Sequence, residues 1–281
     1  MKNIKKRFGV FVIIFLVVAG LNPGGTFTAG CRAESQYTTK DLNEQLVMAT
    51  LWMQASAEYR ALCYQSFNLA RINLDRFLSF YDGDKPVAII VDADETVIDN
   101  SAYEAFLIGN DSGYSSKTWA AWTDAAQATA IPGAVEFLNY AKEKGVDVFY
   151  VSNRKMAGYQ GTQKNLSALG FPFADQKHLL LRTDTGDKQP RRDLVAKAYE
   201  IAFLMGDNLN DFMSVFAKKS VDERFAETDK LKDRWGKKFI VLPNPTYGDW
   251  EGSIYGGNWG ASPAEKDKMR KDHLRRWDYQ P

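Results

Sequence analysis

An α/β fold, a parallel sheet with helices on both faces, is what this 281-residue sequence predicts. Three observations carry it. Short runs rich in Val, Ile and Leu alternate with segments of helical period. Those runs are largely apolar throughout, as strands covered on both faces must be. They also end in Asp, Ser or Gly-Asp, polar residues at the rim where open α/β sheets hold their ligands.

The elements follow in chain order. Residues 38–80 form an N-terminal helical segment of one or two helices. Proline and glycine are missing from 38–79, and Leu46, Met48, Ala49, Trp52, Met53, Ala55, Tyr59 and Leu62 recur at helical spacing. Asp41 and Glu44 near its start suit the helix dipole. After a loop at Gly83-Asp84, residues 86–91 read as a strand. The stretch 100–131 is too long for a simple strand-to-helix loop and holds Tyr103, Phe106, Tyr114, Trp119 and Trp122. It reads as a small cap inserted over the strand ends. A helix over 134–144 is opened by Pro132 and closed by Gly145. Strand 146–151 ends at Ser152, helix 161–169 is closed by Gly170, and strand 178–181 follows. Helix 191–200 leads into strand 201–205, and 239–242 is a last strand stopped by Pro243. The α/β core thus spans 84–260, with a charged tail at 261–281 that admits one amphipathic helix up to Trp277.

Composition is that of a folded globular protein, 45% hydrophobic and 25% charged. A net charge of +1, with Lys and Arg dispersed, argues against a nucleic acid polymer as partner. At the N-terminus Lys2, Lys5, Lys6 and Arg7 precede an apolar run over 8–19 and then a Gly/Pro/Thr stretch, the layout of a secretory signal over residues 1–30. An uncleaved membrane anchor is the competing reading, although a span needs about 20 apolar residues. Removing residues 1–30 takes four basic residues and no acid, leaving 32 basic and 35 acidic, net −3. The protein is therefore expected to cross the inner membrane. The small residues before Cys31 resemble a bacterial lipobox, which implies attachment to a membrane through a lipidated cysteine. Ordinary cleavage near Ala33 with release into the periplasm, or a disulfide between Cys31 and Cys63, are the other outcomes. A homodimer is one open arrangement.

The chemistry is carried by acids. Asp92 and Asp94 close the first strand in the stretch Val91-Asp92-Ala93-Asp94-Glu95-Thr96-Val97. Residues i and i+2 of an extended chain face the same way, so the two carboxylates are expected to converge on one point. Far downstream, Gly206-Asp207-Asn208-Leu209-Asn210-Asp211 follows another apolar run. Carboxylates gathered from two strand ends are the signature of a Mg²⁺-dependent phosphoryl-transfer site. On local sequence Lys188, among Arg182, Arg191 and Arg192, reads as a solvated surface lysine. Asp207 and Asp211 read alternatively as an Asx-rich turn, and Glu95 and Asp99 as helix-start or supporting groups. His178 and His273 are isolated, which argues against histidine-based phosphate chemistry or a zinc site.

Taken together, these stretches resemble the haloacid-dehalogenase superfamily. Asp92 through Val97 is similar to its first motif, Ser152-Asn153-Arg154 to the second, Lys188 to the third and Gly206 through Phe212 to the fourth, in order on successive strand ends. The run from Asp92 through Asn100 to Tyr103, Trp52-Met53-Gln54 with Ser56 through Tyr59, and Leu242-Pro243-Asn244 with Tyr247-Gly248 and Trp250-Glu251 narrow the resemblance to the bacterial class C acid phosphatases. That family includes secreted and lipoprotein enzymes, and the resemblance covers about residues 44–255. Ala93 and Ser152 stand where a larger aliphatic residue and Thr are more usual. The resemblance implies a Rossmann-like, haloacid-dehalogenase-like core that hydrolyses small phosphomonoesters through an aspartyl-phosphate. It implies Asp92 as nucleophile, Asp94 as acid and then base, and Mg²⁺ held by Asp92, the Asp94 carbonyl and Asp207. Asp211 would hold metal-bound water, while Ser152, Asn153 and Lys188 would bind phosphoryl oxygens. An acid-shifted optimum follows from the protonated form that Asp94 needs. Tyr103, Trp119, Trp122 and Tyr247 are candidates for stacking on a substrate ring, which favours nucleoside monophosphates, nicotinamide mononucleotide among them, and aryl phosphates. The competing readings are a phosphotransferase using the same site and a surface lipoprotein that binds without turnover.

Overall fold

A five-stranded, all-parallel sheet in the order β5 (Leu179–Arg182), β4 (Asp147–Lys155), β1 (Val87–Val91), β6 (Glu200–Gly206), β7 (Phe239–Val241) organises the chain. The computed structural model describes residues 37–280. The expected signal segment and Cys31 lie outside the described residues. Strand β1 (Val87–Val91) is central, and every one of its residues is buried. Val87, Ile89 and Val91 pack into the larger hydrophobic cluster on one face, Ala88 and Ile90 into a smaller one on the other. Two-sided burial explains the unbroken apolar run, and each buried Val or Ile contributes about 1.5–3 kcal/mol.

From β1 the chain moves outward to β4 (Asp147–Lys155) and β5 (Leu179–Arg182), then returns across β1 to β6 (Glu200–Gly206) and β7 (Phe239–Val241). The direction of travel reverses between β1 and β6, the switch point where such sheets open a crevice beyond the strand ends. Asp92 and Asp207 are the residues that follow these two strands.

On the larger face lies α3 (Ala57–Phe80), whose buried residues Tyr59, Cys63, Phe67, Ala70 and Leu74 repeat every three or four positions. Cys63 is fully buried in that stripe. Before it come α1 (Thr39–Asn43), one 3₁₀ turn and α2 (Val47–Ala55). Helical pattern runs through Ser56, but Ser56 adopts extended backbone and its Oγ accepts from Tyr59 N, ending α2 and capping α3.

Between β1 and α6 (Ala134–Glu143) the insertion contains α4 (Ser101–Leu107) and α5 (Ser116–Ala125). A two-residue antiparallel ribbon of β2 (Ile98–Asp99) and β3 (Thr129–Ala130) closes its base. Helix α7 (Tyr159–Ala168) packs on α5, with Gly161 so close to the Thr123 carbonyl that a Cβ would lie 2.3 Å from it.

Several boundaries differ from the sequence reading. Strand β4 runs on to Lys155 because Lys155 pairs with Arg182 beyond a register shift after Val151. Helix α8 spans Gln189–Ala198 rather than 191–200, since Glu200 already pairs with Val87 as the first residue of β6. Helix α9 (Val221–Lys230) had no apolar stripe to announce it; its signal was the Ser220/Glu223 capping box. Helix α10 (Asp249–Ile254) is similarly short and acidic. In the tail, α11 (Pro263–Asp272) stops five residues short of Trp277 and is tied back through Arg270 to Glu251.

Candidate active site

Strand β1 ends at Val91, and Asp92 keeps one more sheet contact by donating its N–H to Met205 O at 2.9 Å. That bond holds Asp92 beside the end of β6. One ligand oxygen from each of Asp92, Asp207 and Asp211 lies within 4.8 Å of the others. Lys188, the residue that caps α8, reaches into the cluster, with Nζ 2.5 Å from Asp92 Oδ1 and 2.7 Å from Asp211 Oδ1. It is 5% exposed, so the surface reading of Lys188 is overturned: its charge is buried because two carboxylates neutralise it.

Each carboxylate is held by its own neighbours. Asp207 accepts from Thr96 Oγ1 at 3.2 Å and from Asn244 Nδ2 at 2.9 Å. Asp211 Oδ2 accepts the Asn208 N–H at 3.0 Å. Gly206 makes room for this turn: a Cβ there would lie 2.5 Å from Asp211 Oδ2. Among the described residues no donor bonds Asp92 Oδ2.

Lys188 bonds two of the three carboxylates, and the protonation of Asp92 and Asp207 reflects the crowding of charge. Burial pushes Asp92 up to about 7; Lys188 pulls it down, while Asp211 and Asp94 push it further up. Burial, then Asp211 and Asp92, raises Asp207 well above the usual carboxylate range. Burial works against the charge of Lys188, but Asp211 and Asp92 outweigh it and hold the ammonium above its ordinary value. An oxygen-only donor set with two formal negative charges left over fits a hard divalent cation.

Asp94 does not join this cluster, contrary to the expected convergence. The strand ends at Val91 and the chain bends at Ala93, so the i, i+2 rule no longer holds; beyond it Glu95 has φ 54°, and the tight loop is closed by Glu95 N–H to Ile98 O at 2.8 Å. The Asp94 carboxylate therefore points to Arg154, whose Nε and Nη2 lie 2.9 and 2.8 Å from Oδ1. Asn100 Nδ2 adds a third bond to the same oxygen at 2.9 Å.

Ser152, in β4, is fully buried, and its Oγ accepts from Arg154 N at 3.0 Å, leaving the hydroxyl proton to donate. Asn153 is exposed; its amide donates to Gly186 O and accepts from Arg191, tying the β4 end to the loop before Lys188. Asp99 starts α4 by accepting from Ser101 N.

The four aromatic candidates are built in to different degrees. Tyr103 is 3% exposed, edge-on to Trp119, with its hydroxyl bonded to Thr118. It roofs the core and offers no open face for stacking. Trp122 donates Nε1 to Asn100 Oδ1 at 2.8 Å, and half-buried Trp119 lies under the Arg154 guanidinium. Tyr247 is half-buried and donates its hydroxyl to Glu95 Oε2.

Sequence reasoning missed Arg154, Asn100 and the depth of Glu95. Glu95 is 1% exposed, with burial and then Asp94 and Asp207 raising its carboxyl well above the usual range. The available signal for Arg154 was its place directly after Ser152-Asn153; nothing local joined it to an aspartate sixty positions earlier.

Comparison with known proteins places this geometry. The family model for acid phosphatases of the HAD superfamily, subfamily IIIB, matches residues 27–250. Two structures of the class C acid phosphatase from Bacillus anthracis, one with tungstate bound, each share 43% sequence identity with this chain. Each comparison covers 84% of this chain and 99% of the other, with a TM-score of 0.81.

Proposed function

The chain belongs to the acid phosphatases of HAD subfamily IIIB, is of the class C type and is a phosphomonoesterase, and from that premise we propose a Mg²⁺-dependent reaction through an aspartyl-phosphate on Asp92. The observation that carries the reading is the cluster of Asp92, Asp207 and Asp211 closed by Lys188. Asp92, Asp207 and the Asp94 carbonyl would hold Mg²⁺, which when bound supplies the positive charge that lets an anionic carboxylate approach a phosphate dianion. Asp211, held by Lys188 and the Asn208 N–H, would support the metal from beside these ligands.

Asp92 Oδ1 is occupied by Lys188, so Oδ2 attacks phosphorus. An Oδ2–P bond forms as the ester P–O bond breaks, and the leaving alkoxide takes a proton from Asp94. Asp94, now ionised, accepts a proton from water, whose oxygen attacks phosphorus and releases phosphate with Asp92 restored. Lys188, the Ser152 hydroxyl and Asn153 bind the non-bridging oxygens as charge spreads over them. Trp119 and Tyr247, half-buried beside this machinery, support flat-ringed esters such as nucleoside monophosphates, nicotinamide mononucleotide and aryl phosphates. Export to the periplasm, with lipidation at Cys31, is the accompanying proposal from the N-terminal sequence.

A steady-state assay with a chromogenic aryl phosphate tests the core of this reading. EDTA should abolish turnover and Mg²⁺ restore it. Asp92→Asn should lower kcat by roughly 10³-fold or more with an unchanged circular dichroism spectrum. Turnover near wild type in Asp92→Asn removes the assigned nucleophile, and full activity after exhaustive chelation removes the metal.

A further inference from the structure

We propose that Arg154 is a positioning residue that pins one oxygen of Asp94 and thereby dedicates the other, Oδ2, to proton transfer. The inference rests on Asp94 serving as the acid. A carboxyl group free to spin presents its proton in many directions. One whose Oδ1 is fixed presents it in one, and proton transfer needs the heavy atoms within about 2.6–3.2 Å.

The fixing is unusually complete. Three donors converge on Oδ1: Arg154 Nε at 2.9 Å, Arg154 Nη2 at 2.8 Å and Asn100 Nδ2 at 2.9 Å. Among the described residues none donates to Oδ2. The Asp94 side chain retains 16% of its exposure while that of Arg154 retains 2%. Asp94 is the acidic partner of Arg154 among the described residues, so the buried guanidinium is anchored on this one carboxylate.

Arg154 is itself immobilised from three sides. Nη1 donates to Thr162 Oγ1 at 3.1 Å on α7, Nη2 to Asn100 Oδ1 at 3.1 Å, and the ring of Trp119 lies 5.4 Å from its central carbon. Asn100 is fully buried and spends its whole amide: Oδ1 accepts from Arg154 and Trp122, Nδ2 donates to Asp94 and Glu95. The orienting shell therefore draws on β4, α7 and the insertion at once. Two tryptophans of the insertion, Trp119 and Trp122, buttress the acid rather than only roofing a substrate.

The test uses leaving groups. A phenoxide as stable as para-nitrophenolate departs without a proton, whereas a simple alkoxide needs one. Arg154→Lys keeps the charge and removes the fork. It should lower kcat/KM for an alkyl phosphate by roughly 10²-fold and for para-nitrophenyl phosphate by less than about threefold. Inhibition by inorganic phosphate should stay unchanged. Thr162→Val keeps the shape of the side chain, frees Nη1 and should give the same selectivity at roughly threefold, with circular dichroism checking the fold. Asp94→Asn is the control for the underlying reading and should show the selective loss in full. If Asp94→Asn is selective while Arg154→Lys and Thr162→Val lower both esters equally or neither, the positioning role is overturned and the acid stands. A non-selective Asp94→Asn overturns the acid and, with it, this role.

Discussion

The two rims of the central sheet carry similar residues and treat them oppositely. Where β4 begins, Asp147 Oδ2 accepts from Tyr199 OH at 2.6 Å, Lys177 Nζ at 3.1 Å and His178 Nε2 at 3.3 Å. Burial tends to raise that carboxyl, yet these bonds win and hold it below its ordinary value. At the other rim one lysine, bonded to Asp92 and Asp211, stands against three clustered carboxylates, and Asp92 and Asp207 are pushed up. Donors saturate the first cluster and leave the second in deficit. A folded chain keeps such a deficit where something absent from the chain completes it, so charge balance, more than the presence of acids, separates a binding site from a structural ion pair.

The largest effect expected from this contrast is on stability against pH. In the metal-free protein Asp92, Asp207 and Glu95 all hold their protons more tightly than they would unfolded. A carboxyl raised in this way contributes stability that is complete below the ordinary carboxylate range and is lost as pH rises through its folded value, about 7 for Asp92. Chelated protein should therefore gain a few kcal/mol, at about 2–4 °C of Tm each, between about pH 7.5 and about pH 5.5. Excess Mg²⁺ should oppose that slope, because it binds the ionised carboxylates. Calorimetry in EDTA and in Mg²⁺ reads both arms. A metal-free Tm that falls on acidification across this window would erase the distinction between the rims.

How much of this was written in the sequence differs between the rims and the loops. The apolar runs marked the strands, because burial on both faces leaves its own signature in Val87 through Val91. The acids at the ends of β1 and β6 were legible for the same reason, since a strand end is a local feature. Lys188 was legible only through the family resemblance and not from its local sequence, because its burial depends on Asp92 and Asp211, which only folding brings to it. The divergence of Asp94 from Asp92 turned on the strand ending at Val91 and the chain bending at Ala93, which no pattern of polarity encodes. Helix α9 escaped because six of its ten residues are charged and only Arg224 is buried. Period reports which face is buried; it does not report which distant side chain a group will choose.

A gentler perturbation sharpens the comparison from the deficient side. Gly206→Ala places a methyl 2.5 Å from Asp211 Oδ2 and must displace that carboxylate. Asp211 would then lose the Asn208 N–H and weaken its hold on Lys188. Mg²⁺ affinity should fall by roughly 10–100-fold, as when groups supporting a metal's ligands are removed. Titration with Mg²⁺ followed by activity would show it as a rightward shift with recovery at saturation. An unshifted titration would mean that Asp211 contributes nothing to holding the ion.

The smallest effect belongs to the saturated rim, and it has to appear in stability alone. Tyr199→Phe removes the shortest of the three bonds to Asp147 and leaves Lys177 and His178 in place. Because the remaining donors still cover the carboxylate, the loss should be about 1.5 kcal/mol, the low end for a hydrogen bond to a charged group. The sign with pH is opposite to that at the other rim. A carboxyl held below its ordinary value contributes stability above that value and loses it as pH falls through the folded one, so Tyr199→Phe should move the acid-unfolding midpoint upward. kcat and KM should be unchanged, since Asp147 and Asp92 stand at opposite ends of adjacent strands, with Ala88 beside Asp147 and Val91 beside Tyr150. A fall in kcat in this variant would show that the two rims communicate through the sheet, and that the deficit at one end is set in part by the balance at the other.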